Sequence, residues 1–381
     1  MADKTKNKKH DPEDDDEGPT RPGLVRGWSK KVVPPTQTLG EEDLSYLINI
    51  SKSGLEQLRD DVGRNCAPNK LDLQYTYIGA PGCEVFGKGL ATNEGLEMLS
   101  VHNSEVGDFG AQAIADALCT QKGLREMNFS SNEIGDAGAR AIGLWLRGST
   151  TIETLLLTYN HIGEEGGVHL GSAMCENRSL KVLKLGLNDL GDVGARSIGE
   201  ALEKGHPLLS LDLGSNGVSN DGAEALAEAL RLDCPLQQLV LRINRIGDDA
   251  MRPMGLALEI NKNLWELDLQ GNSLRAESMD YLGPGFGENH TLRRLNLEDN
   301  FLTDAACKTL LHVLDKNDNL QLRELKMKNN LVTSLMVTQL DLYMRTHVND
   351  LKHKRKTDKE ERRSTKASSP GNRTKSKVGG F

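Results

Sequence analysis

One position recurs every 28 residues through most of this chain: Asn132, Asn160, Asn188, Asn216, Asn244, Asn272 and Asn300. Counting back by the same interval reaches Ser104 and Thr76, and Asn330 follows Asn300 after 30. Each lies in one phrase, Leu-x-x-Leu-x-Leu-x-x-Asn-x-Ile/Leu/Val, read for instance as Leu180, Leu183, Leu185, Asn188 and Leu190. A unit this short cannot bury an apolar face alone, so successive copies must stack. The period therefore predicts a solenoid cored by leucine ladders.

Each unit has two halves. Leu239 and Leu241 alternate with their neighbours, a period of two that marks a half-buried strand. The Asn falls where the chain leaves that strand, and its side-chain amide can satisfy backbone groups the turn leaves unpaired. Thr76 and Ser104 offer only a hydroxyl there, which marks the first two units as atypical. Next comes Gly-Asp-x-Gly-Ala, fullest at Gly135–Ala139, whose Asp136 is expected to cap the helix it opens. Ala225, Leu226, Ala229 and Leu230 then show helical spacing. One strand and one helix per unit predict an α/β solenoid of about ten repeats over residues 68–345. Its expected form is a right-handed horseshoe with parallel strands on the concave face and helices on the convex face. Gly283-Pro284-Gly285 should shorten or break the helix of repeat eight.

The flanks differ in composition. Residues 1–37 mix charge with proline and read as disordered. Residues 38–67 read as a helical N-terminal cap in two pieces, with Leu44, Leu47 and Ile48, then Leu55 and Leu58. A helix from Ser334 to about Val348 closes the stack, and residues 346–381 read as a basic, largely disordered tail. From Leu351 to Phe381 eleven Lys and Arg oppose three Asp and Glu, so a tail of +8 leaves −16 on the rest of a chain whose total is −8.

These phrases resemble the ribonuclease-inhibitor-like class of leucine-rich repeat proteins over roughly residues 68–343. That class includes ribonuclease inhibitors, Ran GTPase-activating proteins, the sensor domains of NOD-like receptors and many cytoplasmic or ciliary scaffolds. The resemblance implies the α/β horseshoe; function does not travel with the fold. Ribonuclease inhibitors are cysteine-rich with two alternating repeat types, whereas this chain has six cysteines in a uniform series. Ran activators carry a strongly acidic C-terminal tail where this one is basic, and none of their catalytic residues is carried over.

The resulting expectation is a non-enzymatic scaffold or adaptor that binds a protein partner through its concave strands. The alternatives are a Ran-GAP-like activator of a small GTPase and a structural component of a ciliary or other cytoskeletal assembly. Residues between the inward leucines face the concave side. They give an apolar group, Leu156, Tyr159, Val182, Leu187, Val240 and Ile243, and a charged group, Asp212, Arg242, Glu266, Asp268, Arg294, Glu298 and Asp299. An apolar centre rimmed by charge suits an interface, and five carboxylates against two arginines favour a partner with a basic surface. In the tail, Lys352, Lys354, Arg355, Lys356, Arg362 and Arg363 are candidates for targeting or contact with an anionic surface.

Catalytic, metal and cofactor sites are not expected. The nine histidines are dispersed, and there is no His-Glu-x-x-His, P-loop or nucleophile elbow. No small-molecule substrate is indicated. No apolar run approaches the roughly 18 residues that span a bilayer. The cysteines (Cys66, Cys83, Cys119, Cys175, Cys234 and Cys307) lack a Cys-x-x-Cys pair and read as reduced fillers. With no apolar leader, the expected location is cytoplasmic, with cilium, cytoskeleton or nucleus as alternatives. The Asn-x-Ser/Thr triplets at Asn128, Asn177 and Asn289 are taken as incidental.

Overall fold

The computed structural model describes residues 48–367, apart from residues 66, 68, 233 and 318–320, with side chains over 50–351. The N-terminal segment, Leu44, Leu47, Cys66 and the end of the basic tail lie outside the described residues.

Ten strands, from Lys70–Asp72 to Glu324–Lys326, form one parallel sheet in chain order. Register follows the sequence period: Leu211 lies beside Leu239 and Leu267 beside Leu295. The last pair is Leu295 beside Leu325, so the two extra residues of repeat nine are absorbed outside the strands. Each strand is followed by a helix packed on the helices of adjacent repeats. Strands sit about 4.8 Å apart whereas helices need about 8–10 Å. Such a stack curves toward its strands, which makes the strand face the inner wall. The fold is thus an α/β leucine-rich repeat solenoid. Leu155, Leu157, Leu183 and Leu185 from the strands meet Ile142, Leu170, Ile198 and Leu226 from the helices in a continuous buried core.

The repeated Asn ties the turns together. Asn132 Oδ1 accepts from Ser104 N at 2.9 Å and Val106 N at 3.2 Å, in the preceding repeat. Its Nδ2 donates to Val101 O at 2.8 Å and Phe129 O at 2.9 Å. Asn160, Asn188, Asn216, Asn244, Asn272 and Asn300 are buried and bonded in the same manner. Asn330 continues the column by accepting from Leu302 N at 3.0 Å. Ser104 donates its hydroxyl to Leu73 O at 3.0 Å.

Several local expectations change. Asp136 does not cap its own helix, Asp136–Gly148, whose N-cap Gly135 offers no side chain. Its Oδ1 instead accepts from Gly163 N at 2.7 Å and Gly166 N at 2.8 Å, the start of the next repeat. Asp108 and Asp192 reach forward in the same way. The Asp stands inside the first turn, and stacking brings the neighbour's free N–H groups within its reach.

The helix of repeat eight runs unbroken over Ala276–Glu288 with Pro284 inside it. Pro284 is on the exposed side, while Leu282 and Phe286 are buried. A Cβ on Gly285 would stand 2.3 Å from Gly255 O, so bare backbone packs on bare backbone and holds the turn. At the N-terminus, Ile48–Asn49 is a strand paired with Thr76–Tyr77, not part of a helix. The helix beside it, Lys52–Gly63, is capped by Ser51 and packs on the helix of repeat one. The closing helix runs from Ser334 to Ala367, well past Val348. Between its start and Pro370 there is no glycine or proline, and Lys, Arg and Glu are good helix formers.

Candidate functional site: the inner strand face

Three short columns line the inner wall, and the anticipated residues divide between its centre and one margin. Leu156, Val182, Asp212, Val240, Glu266 and Asp268 lie on the strands and are half-buried, and Arg294 is exposed. Arg242 and Glu298 follow on the next outward position. Tyr159, Leu187, Ile243 and Asp299 come immediately before the ladder Asn.

Within the charged group, Arg294 and Glu266 form the one ion pair among the described residues. Arg294 lies 3.6 Å from Glu266 and 3.3 Å from Glu324, with its guanidinium 5.4 Å from the centre of the Trp265 ring. Lys326 adds a contact to Glu324 at 3.4 Å. Asp212 and Asp268 are also turn-formers, accepting from Gly214 N and Gln270 N, each at 3.0 Å. Burial pushes the Asp268 carboxyl above its usual range, while hydrogen bonds from Gln270 and Asn296 and the charges of Arg242 and Lys326 oppose that rise. Hydrogen bonds from Gln270 and Asn329 hold the Asp299 carboxyl below its usual range. Of the five carboxylates read from sequence, Glu266 is the one held in an ion pair among the described residues.

The margin has a different character. The residue before the ladder Asn has positive φ in every repeat, a conformation that costs any residue with a Cβ. Six repeats place a small or polar residue there, Asn103, Ser131, Ser215, Gly271, Asp299 and Asn329, and repeat one places Tyr75. Repeats four, five and seven place Tyr159, Leu187 and Ile243, at φ 57°, 58° and 54°. These side chains are 64%, 46% and 59% exposed, so burial does not offset the strain. Gly186 and Gly214 are buried beside them, and the Arg242 side chain lies over Gly214: a Cβ there would stand 2.8 Å from Arg242 Cγ. The result is an exposed apolar ridge flanked by Lys184, Asp212 and Arg242. The left-handed column was not recognised in the sequence, although Asn, Ser and Gly dominating one position was its signal.

A second Asn ladder was also missed. Asn93, Asn177, Asn261, Asn289 and Asn317 close the helical halves and are buried. Asn177 Nδ2 donates to Leu146 O at 2.8 Å, and its Oδ1 accepts from Ser179 N at 2.9 Å. Asn289 repeats the pattern with Leu258 O at 2.7 Å and Thr291 N at 3.0 Å. The Asn-x-Ser/Thr triplets at Asn177 and Asn289 are thus ladder rungs with committed amides.

Other reactive groups stand apart from this face. Cys83 and Cys307 are buried in helices, and burial pushes their thiols up to about 12 and about 11. His102 Nδ1 lies 3.0 Å from Ser130 O, with its ring edge-on to Tyr75. His206 is fully buried with both ring nitrogens unpartnered among the described residues. Among the described residues no three His, Cys, Asp or Glu side chains converge as a metal site, and no helix is long and apolar enough to cross a membrane.

Comparison with known proteins agrees with this architecture. Residues 124–143, 148–171, 176–199, 206–227 and 288–311 match the family described as Leucine Rich repeat. These matches and the stacked strand–helix units agree on an α/β leucine-rich repeat solenoid. No curated protein matches it by sequence. Among solved structures, an internalin (inlF) from Listeria monocytogenes is 15% identical over 75% of this chain and 85% of that one, with a TM-score of 0.37. The tropomodulin C-terminal domain from Caenorhabditis elegans is 18% identical over 39% and 90%, with a TM-score of 0.33. Leiomodin-1 actin-binding site 2 is 18% identical over 47% and 88%, with a TM-score of 0.34. Likeness at that level leaves the partner to be argued from this chain's own residues.

Proposed function

We propose that this protein is a non-enzymatic scaffold that seats a protein segment on the inner face of repeats four to seven. The observation that carries this reading is the trio Tyr159, Leu187 and Ile243, held at positive φ and exposed where neighbouring repeats use Ser, Asn or Gly. Each costs the fold on the order of 1 kcal/mol, and strain that packing does not repay concentrates at functional positions. Aromatic and aliphatic anchors with Asp212 and Arg242 at their border have the make-up of a binding hot spot with a polar rim. Acidic Glu298 and Asp299 farther along favour a segment that becomes basic toward repeat nine.

The test is a triple substitution, Tyr159→Asn, Leu187→Asn and Ile243→Asn, in the full chain. Stability should hold or rise, because Asn accepts the left-handed conformation. Partners captured by the unaltered protein should be lost. Retention of every partner by a folded variant removes the site. The GTPase-activating alternative predicts faster single-turnover GTP hydrolysis when the protein is added to a GTPase, and the cytoskeletal one predicts co-localisation of a tagged chain with filaments or cilia. No residue on the strand face favours either.

A further inference from the structure

On the outer wall, one joint between helices stands apart. In repeats one, three and five a glycine at one helical position lies against the backbone of the next helix: a Cβ would stand 3.0 Å from Ala113 O at Gly87, from His169 O at Gly143 and from Ala225 O at Gly199. Gly283 holds the same position in repeat eight, yet the nearest atom its Cβ would meet is Val313 Cγ2 at 3.3 Å, with no backbone of the next helix inside 4 Å. In place of that contact a groove of about 580 Å³ opens between Ala276–Glu288 and Asp304–Lys316, with Gly283, Pro284, Gly287 and Val313 along it. Gly287 falls where repeats six and seven have Arg231 and Glu259, so the long side chain that stands there elsewhere is missing.

The edge of this groove is acidic, with Glu259, Asp280 and Glu288 against Lys316. A second hollow of about 440 Å³ adjoins it and shares Glu259 and Glu288. Both carboxylates stand in the last turn of their helices, Met251–Ile260 and Ala276–Glu288, where the helix dipole is negative and a carboxylate is disfavoured. Glu176 ends the helix of repeat four in the same way, but Arg147 stands 3.2 Å from it. Glu259 and Glu288 have no such cation among the described residues. Leu256 and Ile260, one turn apart on the helix of repeat seven, are 52% and 47% exposed, and Ile260 lines the second hollow. From this we infer that the outer groove of repeats seven to nine docks a basic amphipathic helix of a protein partner, independently of the site on the strand face. A helix laid along two others buries one apolar face between them. Its Lys or Arg side chains then supply the cations that two helix ends and two carboxylates lack.

The test uses the full chain and a labelled alanine-based helix with leucine on one face and lysine beside it, followed by fluorescence anisotropy. Gly287→Gln fills the groove without crowding the fold, since a Cβ there meets only Val313 Cγ1 at 3.8 Å and Gln favours a helix over Gly. It should weaken binding about tenfold or more, with circular dichroism unchanged. Glu259→Gln with Glu288→Gln should weaken it about fivefold. Glu200→Gln with Glu203→Gln makes the same charge change on the outer helix of repeat five and should leave binding as it was. The triple asparagine substitution on the strand face should also leave it as it was, which separates the two sites. The inference fails if the lysine helix does not bind, if a glutamate version binds as tightly, or if Gly287→Gln has no effect. It fails too if the two glutamine pairs weaken binding equally, or if the strand-face variant abolishes it. Other occupants would overturn it as well: self-association in sedimentation that Gly287→Gln abolishes means a second copy, and binding only after removal of residues 368–381 means the chain's own tail.

Discussion

Repeats six and seven lie side by side, with Leu211 beside Leu239 and Asp212 beside Val240, yet they treat one slot in opposite ways. At the left-handed position before the ladder Asn, repeat six has Ser215 and repeat seven has Ile243. Serine bears the Cβ cost there, and a β-branched residue is the sharper outlier. The pair separates what the fold requires from what it tolerates. The requirement is the ladder Asn itself, and the tolerated excess is the exposed apolar group beside it.

The largest effect should come from the shared rung. Asn244 accepts from Asn216 N and Val218 N, each at 3.0 Å, and donates to Leu213 O at 3.0 Å and Leu241 O at 2.9 Å. Asn216 accepts from Leu190 N at 3.3 Å and donates to Leu185 O at 2.9 Å and Gly214 O at 3.2 Å. Asn244→Ala should cost on the order of 4 kcal/mol in urea unfolding, because it leaves several buried backbone groups unpaired. Asn216→Ala should cost less, and equal losses would break the distinction between the two rungs.

A contrast in pH comes next. His206 leads into repeat six, where Cys234 stands 28 residues later before repeat seven. Burial, with Arg178 and Lys181 nearby, drives the His206 pKa down to about 4. The unfolded chain takes up this proton near pH 6.5 and the folded chain only near 4. Stability from this site is thus intact above 6.5 and falls as pH drops toward 4, by about 3 kcal/mol at most. His206→Leu should flatten that acid slope in unfolding titrations.

The caps should differ more modestly. Asp192 receives Ser219 N at 2.7 Å, Gly222 N at 3.0 Å and the Ser219 hydroxyl at 2.6 Å for repeat six, whereas Asn220 receives Gly247 N at 2.7 Å for repeat seven. Asp192→Ala should cost about 1–2 kcal/mol and Asn220→Ala less. The smallest effect addresses the slot itself. Ile243→Ser should raise stability, and Ser215→Ile should lower it, each by about 1 kcal/mol. A loss of stability from Ile243→Ser would show that Ile243 packs rather than binds.

What the sequence disclosed followed from what repeats without interruption. The ladder at Asn132 to Asn300 never skips a rung, so its period, strands and helices could be read together. The ladder at Asn93, Asn177, Asn261, Asn289 and Asn317 is interrupted by Gln121, Ser149, Gly205 and Asp233, which hid the same period. The reach of Asp136 into repeat four was invisible for another reason, since a cap on a neighbour depends on how repeats stack. Pro284 read as a helix breaker because the approach of Gly255 to Gly285 is a three-dimensional fact. For the strand face, the residues that point inward were legible; Arg294 pairing with Glu266 and Glu324 was not, and neither was the strain at Ile243.

The two kinds of tie between repeats run in opposite directions. Asn132 reaches back to repeat two, while Asp108 in repeat two reaches forward to Gly135 and Gly138. A joint with both ties is latched from both sides, like links that hook each other, whereas repeat eight has Ala276 where the forward carboxylate would stand. A viable shortened form must remove whole units between matching hooks, because a cut inside one unit frees a latch above and another below.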